Sequence, residues 1–196
     1  MNKPYAAAAE QNREPILEVL KKEFSQVNSV LEIGSGTGQH AVYFAQHLPY
    51  LTWQSSDVNE MLPGINLWLD EANLPNTSRA IELDVCKQWP DEKFDAAYAA
   101  NVAHIMHSNE IEAMFSELGN VLKPSAKFCL YGPFNINGEY TSASNQKFDM
   151  WLKNRDPESY IRDKSYLDDL AIKSKLEPTN SYQMPSNNLI LCWKRI

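Results

Sequence analysis

Long apolar runs are missing from this chain. It contains no stretch of about 18 apolar residues, the length a helix needs to cross a bilayer, so no membrane partner is expected. The opening residues, Met1-Asn2-Lys3-Pro4-Tyr5-Ala6, hold no apolar core of the kind a secretory signal carries. Cysteine is scarce. Cys86, Cys129 and Cys192 are three in number and far apart, which fits neither a disulfide framework nor a zinc spacing. A reducing, cytoplasmic setting and no metal are therefore expected. Basic residues are outnumbered, 18 Lys and Arg against 25 Asp and Glu, and they form no run. Nucleic-acid binders carry a basic footprint, so no nucleic-acid partner is expected from a chain of net charge −7.

Glycine is also rare, with seven in 196 residues, yet three of them fall at alternate positions in one short segment, Gly34, Gly36 and Gly38. The segment reads Val30-Leu31-Glu32-Ile33-Gly34-Ser35-Gly36-Thr37-Gly38-Gln39-His40. An apolar strand leads in and the helical pattern Ala41-Val42-Tyr43-Phe44-Ala45 leads out. Glycine tolerates positive φ and carries no Cβ, so a cofactor can rest on the backbone of such a turn. The spacing is neither the dinucleotide G-x-G-x-x-G nor a phosphate loop, which would need a Lys after its last glycine. The pattern E-x-G-x-G-x-G resembles the first motif of class I S-adenosylmethionine-dependent methyltransferases. An acid at Glu32 suits a cofactor with an ammonium and a sulfonium better than one with two phosphates. The alternative is a strand–helix turn that holds no ligand.

The patterning predicts alternating elements. Helices are expected over residues 10–24, 38–47, 61–72, 109–121 and 165–174, and strands over 27–33, 51–55, 79–83, 94–99 and 126–131. Two further strands, 176–183 and 188–194, flank a short turn at Pro185-Ser186-Asn187. Residues 133–163 form a polar insertion with a helix near 145–153. No linker divides the chain. The expected fold is α/β, a doubly wound, mostly parallel seven-stranded Rossmann-like sheet whose last strand is antiparallel. One domain is expected over 1–196, with the insertion within it.

Ligands of open α/β sheets sit outside the carboxyl ends of the strands. Asp57 ends the second strand, where a carboxylate can accept ribose hydroxyls; it could equally cap the next helix. Asp84 and Val85 end the third strand. The methyltransferase resemblance implies an adenine contact for Asp84 and an apolar wall for Val85; a turn role for Asp84 stays open. Asn101 follows the fourth strand in Ala99-Ala100-Asn101-Val102-Ala103-His104, which resembles that family's fourth motif. The Asn/Asp-Pro-Pro-Tyr/Phe pattern of DNA amino methyltransferases is absent, so adenine-N6 chemistry is not supported. His104 is assigned to the pocket wall and His107 to a surface or capping role.

Three stretches carry a closer resemblance: residues 9–17, beginning Ala9-Glu10-Gln11-Asn12-Arg13; residues 131–145, beginning Tyr131-Gly132-Pro133-Phe134; and Phe148-Asp149 to Asp163, with Trp151 and Arg155. Together with Met184-Pro185-Ser186-Asn187, they resemble the methyltransferase-like protein 26 family, also described as domain of unknown function 938. That implies S-adenosyl-L-methionine as cofactor, and the residues expected to hold it are Arg13, Glu32, Gly34, Ser35, Gly36, Gly38, Asp57, Asp84, Val85 and Asn101. Arg13 would pair with the cofactor carboxylate. The acceptor pocket is assigned to Asn12, His104, Tyr140, Asn145, Asp149 and Arg162, with His104, Tyr140 and Asp149 as candidate bases; the alternative for the insertion is a solvated surface segment held by Arg–Asp pairs. The acceptor is a small molecule or a protein. A cofactor-binding protein without turnover, acting as sensor or scaffold, and a dinucleotide-dependent oxidoreductase are the alternatives.

Overall fold

The computed structural model describes residues 2–196. One seven-stranded sheet forms its centre, in the order β3-β2-β1-β4-β5-β7-β6. The strands are β1 (Ser29–Ile33), β2 (Thr52–Asp57), β3 (Ile81–Glu82), β4 (Phe94–Ala100), β5 (Leu122–Gly132), β6 (Leu176–Met184) and β7 (Asn188–Arg195). The pairings β1–β2, β1–β4, β2–β3 and β4–β5 are parallel, while β7 runs antiparallel to β5 and to β6. This is the expected doubly wound sheet with its antiparallel last strand.

The helices are α1 (Ala7–Glu23), α2 (Gln39–His47), α3 (Leu62–Ala72), α4 (Ser108–Val121), α5 (Ala143–Arg155) and α6 (Lys164–Lys173). Alternation along the central strands feeds two cores. Leu31, Ala97, Ala99, Leu130 and Trp193 face Ile111 and Phe115 of α4 and Leu167 of α6. Val30, Ala96, Tyr98, Cys129 and Ile190 face Ile16 and Leu20 of α1, Phe44 of α2 and Ile65 of α3. Strands covered on both faces read as nearly continuous apolar runs, and β1 and β4 do.

Two boundaries differ from the sequence expectation in ways that matter to the site. Helix α1 starts at Ala7 rather than Glu10, because Ala7, Ala8 and Ala9 extend it at the lowest conformational cost of any residue type. Strand β3 has only two residues instead of five. The backbone groups that a longer ladder would use are taken by side chains: Gln54 Nε2 donates to the Arg79 carbonyl at 2.9 Å, and Asn66 Oδ1 accepts from Ala80 N at 3.1 Å. Among the described residues, no helix is long and apolar enough to cross a membrane.

Candidate active site

The glycine turn is built as its sequence requires. Gly34, Gly36 and Gly38 have φ of +71°, +58° and +89°, all in the left-handed region that side chains resist. They do different work. A Cβ on Gly36 would meet nothing within 4 Å, because the space above it is an open cleft. A Cβ on Gly34 would lie 2.6 Å from Val102 Cγ1. A Cβ on Gly38 would press on Ile65 Cα at 3.1 Å, so this glycine lets α2 approach α3 and does not line the cleft. Its expected cofactor contact is replaced by a packing role.

The cleft has a volume of about 660 Å³ and lies over the carboxyl ends of β1, β2 and β4. Eight of the ten residues assigned to the cofactor line it: Glu32, Gly34, Ser35, Gly36, Asp57, Asp84, Val85 and Asn101. Asp57 does not cap α3, whose N-cap is Met61. It accepts Gly36 N–H at 2.7 Å and Val58 N–H at 2.8 Å. Burial raises the Asp57 carboxyl above its ordinary value, against those two amides. Glu32 lies beneath the loop, accepting from Ser35 Oγ at 2.8 Å and Trp53 Nε1 at 3.1 Å, and burial pushes its carboxyl up to about 7. Asp84 lines the cleft and also makes a turn, accepting Cys86 N–H at 3.0 Å. Asn101 has φ +60°.

Arg13, in contrast, is not among the residues that line the cleft. It pairs with Glu10, one turn earlier on α1, at 2.7 Å and lies over the Tyr43 ring at 4.5 Å. Asn12 supports the site from behind, with its Oδ1 2.7 Å from Nε2 of His40, a cleft residue. Burial lowers the His40 imidazole to about 4.

A second cavity of about 760 Å³ adjoins the cleft and shares Ala8, Asn101 and Ile105 with it. The insertion forms one wall of it through α5, and His104 and Asn145 line it. The His104 and Phe148 rings meet edge to face, with centres 5.2 Å apart. Its Nδ1 is buried without a hydrogen-bond partner, and burial, followed by the Arg162 charge, lowers its imidazole to about 4.

The other three residues assigned to the acceptor pocket hold the insertion together. Asp149 is 1% exposed and accepts from Tyr140 OH, Ile161 N and Lys153 Nζ, each at 2.7 Å. Burial would raise its carboxyl, but the hydrogen bonds from Lys153, Tyr140 and Ile161 outweigh it, so Asp149 stays ionised and saturated. The same bond to Asp149 raises the Tyr140 phenol. Neither is poised as a base. Arg162 is fully buried and donates to the carbonyls of Ala103, Met106 and Glu158 and to Ser108 Oγ. His107 is the N-cap of α4 and pairs with Asp156 at 2.7 Å.

Several lining residues were not assigned from the sequence. Phe148, Leu152 and Arg155 follow Asn145 at helical spacing, with Trp151 beside them, and place one stripe of α5 on the cavity. Ala6, at the end of an N-terminal arm, and Ala8 and Ala9, in the first turn of α1, also line the cleft. Ala6 N–H donates to Gln39 Oε1 at 2.6 Å, Trp68 Nε1 donates to the Pro4 carbonyl at 2.7 Å, and Lys3 Nζ sits 3.7 Å over the Trp68 ring.

The comparisons with known proteins agree with this geometry. The family described as "Protein of unknown function (DUF938)" matches residues 3–195. The chain belongs to that family. Its fold is that of class I methyltransferases. The structure of the mitomycin 7-O-methyltransferase MmcR superposes with a TM-score of 0.84 at 17% identity, over 97% of this chain and 55% of that one. An O-methyltransferase family 2 protein from Planctomyces limnophilus, in complex with apigenin, gives 0.84 at 11% identity, over 96% and 58%. PigF with SAH gives 0.78 at 11% identity, over 93% and 61%. The chain spans a little over half the length of these structures.

Proposed function

We propose that this protein transfers a methyl group from S-adenosylmethionine to an acceptor bound in the second cavity. The observation that carries the reading is that the two cavities meet at Ala8, Asn101 and Ile105, with the neutral His104 on the acceptor side. The cofactor fits the cleft by charge as well as by shape. Glu32, Asp57, Asp84 and Glu110 line it, and no Lys or Arg does among the described residues. Asp84 is already paired with Lys87 at 3.0 Å and burial pushes the Glu32 carboxyl up to about 7, yet the lining still offers a pyrophosphate no cation, whereas an ammonium and a sulfonium meet carboxylates. Gly36 leaves the backbone open to the ligand, Asp57 would hold the ribose, and Asp84 and Val85 would flank the base. When bound, the cofactor supplies an electrophilic methyl carbon that bonds to the acceptor atom while the C–S electron pair stays on sulfur.

The chain then has two tasks, placing the acceptor in line and receiving its proton. Among the candidate bases, His104 fits the second task, because Tyr140 and Asp149 already bond to each other. A hydroxyl acceptor is favoured, in keeping with the O-methyltransferase names of the neighbours. Calorimetric titration with S-adenosylmethionine, S-adenosylhomocysteine and NAD(H) tests the cofactor. The first two should bind and NAD(H) should not. Binding of NAD(H) alone would replace this reading with the oxidoreductase one.

A further inference from the structure

The two adjoining cavities are lined by opposite charge. The second one is lined by Arg155 and, among the described residues, by no carboxylate. The chain carries net charge −7, so its average composition does not produce such a lining. The neighbouring cations are engaged: Lys153 pairs with Asp149 at 2.7 Å, and Arg162 is buried on backbone carbonyls. Arg155 stands at the end of α5 and makes no ion pair among the described residues, with its guanidinium carbon 5.8 Å from the Trp151 ring centre.

The same helix face offers a stacked aromatic pair. The rings of Phe148 and Trp151 lie 5.8 Å apart and 14° from parallel, and Trp151 is 53% exposed. Phe148 in turn meets His104 in an edge-to-face contact, with ring centres 5.2 Å apart. The cavity therefore presents, in sequence along one wall, a neutral imidazole, two stacked rings and a free guanidinium.

We propose that the acceptor is an anionic arene bearing a hydroxyl. Its ring extends the stack on Trp151, the more exposed member of the pair, its carboxylate meets Arg155 in a bidentate pair, and its hydroxyl points toward His104 and the shared wall at Asn101. This rests on the methyl-transfer reading and narrows it to one substrate class. A cavity of about 760 Å³ takes one or two fused rings with these substituents. The charge logic is consistent across the site: a cationic donor in the acidic cleft, an anionic acceptor in the basic cavity, and no like-charge conflict where the two meet.

The test is calorimetry on the full chain saturated with S-adenosylhomocysteine. The probes are 4-hydroxybenzoate, 6-hydroxy-2-naphthoate, the neutral 4-hydroxybenzamide and the non-aromatic 4-hydroxycyclohexanecarboxylate. The two arene carboxylates should bind about tenfold or more tighter than the amide and the saturated ring. Arg155→Gln should abolish the preference for carboxylate over amide. Trp151→Ala should weaken every arene. Both variants should keep native affinity for S-adenosylhomocysteine and a native thermal transition, since both side chains are exposed. Equal binding of acid and amide, an undiminished preference in Arg155→Gln, or no arene binding at about 10 mM would overturn the proposal. Failure of S-adenosylhomocysteine itself to bind the native chain would instead overturn the reading on which it stands.

Discussion

Asp57 Oδ2 accepts the backbone N–H of Gly36 at 2.7 Å, tying the end of β2 to the turn that follows β1. The proposed ribose ligand and the glycine loop are thus one mechanical unit. Asp57→Ala removes a charge-assisted acceptor from the ligand and from Gly36 together. Cofactor affinity should fall by about 2–4 kcal/mol, and the apo protein should lose about 1 kcal/mol as the loop loosens. Asp57→Asn keeps one acceptor oxygen and should fall between the two. Titration and thermal unfolding of both variants check this. Unchanged affinity in Asp57→Ala would remove the residue from the cofactor site.

Gly34 and Val102 form a second pair that can be tested. Gly34→Ala places a methyl 2.6 Å from Val102 Cγ1 and also strains a residue at φ +71°. Each effect costs on the order of 1–2 kcal/mol. Val102→Ala in the same chain should restore the steric part and leave the backbone part. If the double variant is no more stable than Gly34→Ala, the contact does not set the cost. Gly36→Val should fold with only the backbone penalty, because its space is open, yet lose cofactor binding.

Arg162 divides a structural role from a functional one. Its guanidinium satisfies three carbonyls and a hydroxyl from the 103–108 loop and from Glu158, and it lies 3.6 Å over the Tyr160 ring. Arg162→Ala leaves those buried acceptors unpaired. The loss should reach about 3–5 kcal/mol of stability, in the range of a broken buried charge site. Denaturant unfolding would show it. A native midpoint with reduced turnover would return Arg162 to the acceptor pocket.

How much of this was legible beforehand depended on the kind of signal. The glycine turn, the strand ends at Asp57 and Asn101, and the strand–helix alternation are local patterns, and each lies where its pattern implies; Asp84 lines the cleft from two residues past the short β3. The positions that moved are those decided by competition among neighbours. Arg13 pairs with Glu10, three residues away on the same helix, in place of a distant carboxylate. Asp149 gathers Lys153, Tyr140 and Ile161 around itself, and Gly38 faces α3. The α5 stripe of Phe148, Trp151 and Arg155 was readable in principle from its spacing. Its helix is polar overall, however, and nothing local marks which face meets a cavity.

The N-terminal arm should set the rate of cofactor exchange. Trp68 holds it twice, by its bond to the Pro4 carbonyl and by its ring beneath Lys3, while Pro4 packs against Gly64. Trp68→Phe breaks the hydrogen bond and keeps most of the packing. One neutral hydrogen bond is worth about 1 kcal/mol, so S-adenosylhomocysteine should dissociate roughly fivefold faster, with the same thermal transition in the apo protein. Stopped-flow displacement measures the rate. An unchanged rate would mean that the cofactor leaves without lifting the arm.

His104 gives the sharpest pH signature. Burial lowers its imidazole from 6.5 to about 4, so between those values the folded chain binds fewer protons there than the unfolded chain. Stability from this group is full above pH 6.5 and is lost as pH falls toward 4, and His40 adds a second contribution of the same sign. His104→Phe removes the titration, keeps a ring against Phe148, and should flatten the acid side of the stability profile by about 3 kcal/mol. If His104 receives the acceptor proton, the same substitution should lower turnover by about 10²–10⁴. In the native chain the acid limb of turnover should lie below the ordinary histidine value. An anionic acceptor would draw it back upward, because a nearby negative charge favours the protonated imidazole. Turnover that survives His104→Phe, with the stability profile flattened as expected, would leave His104 a structural residue and make the reaction one of positioning alone.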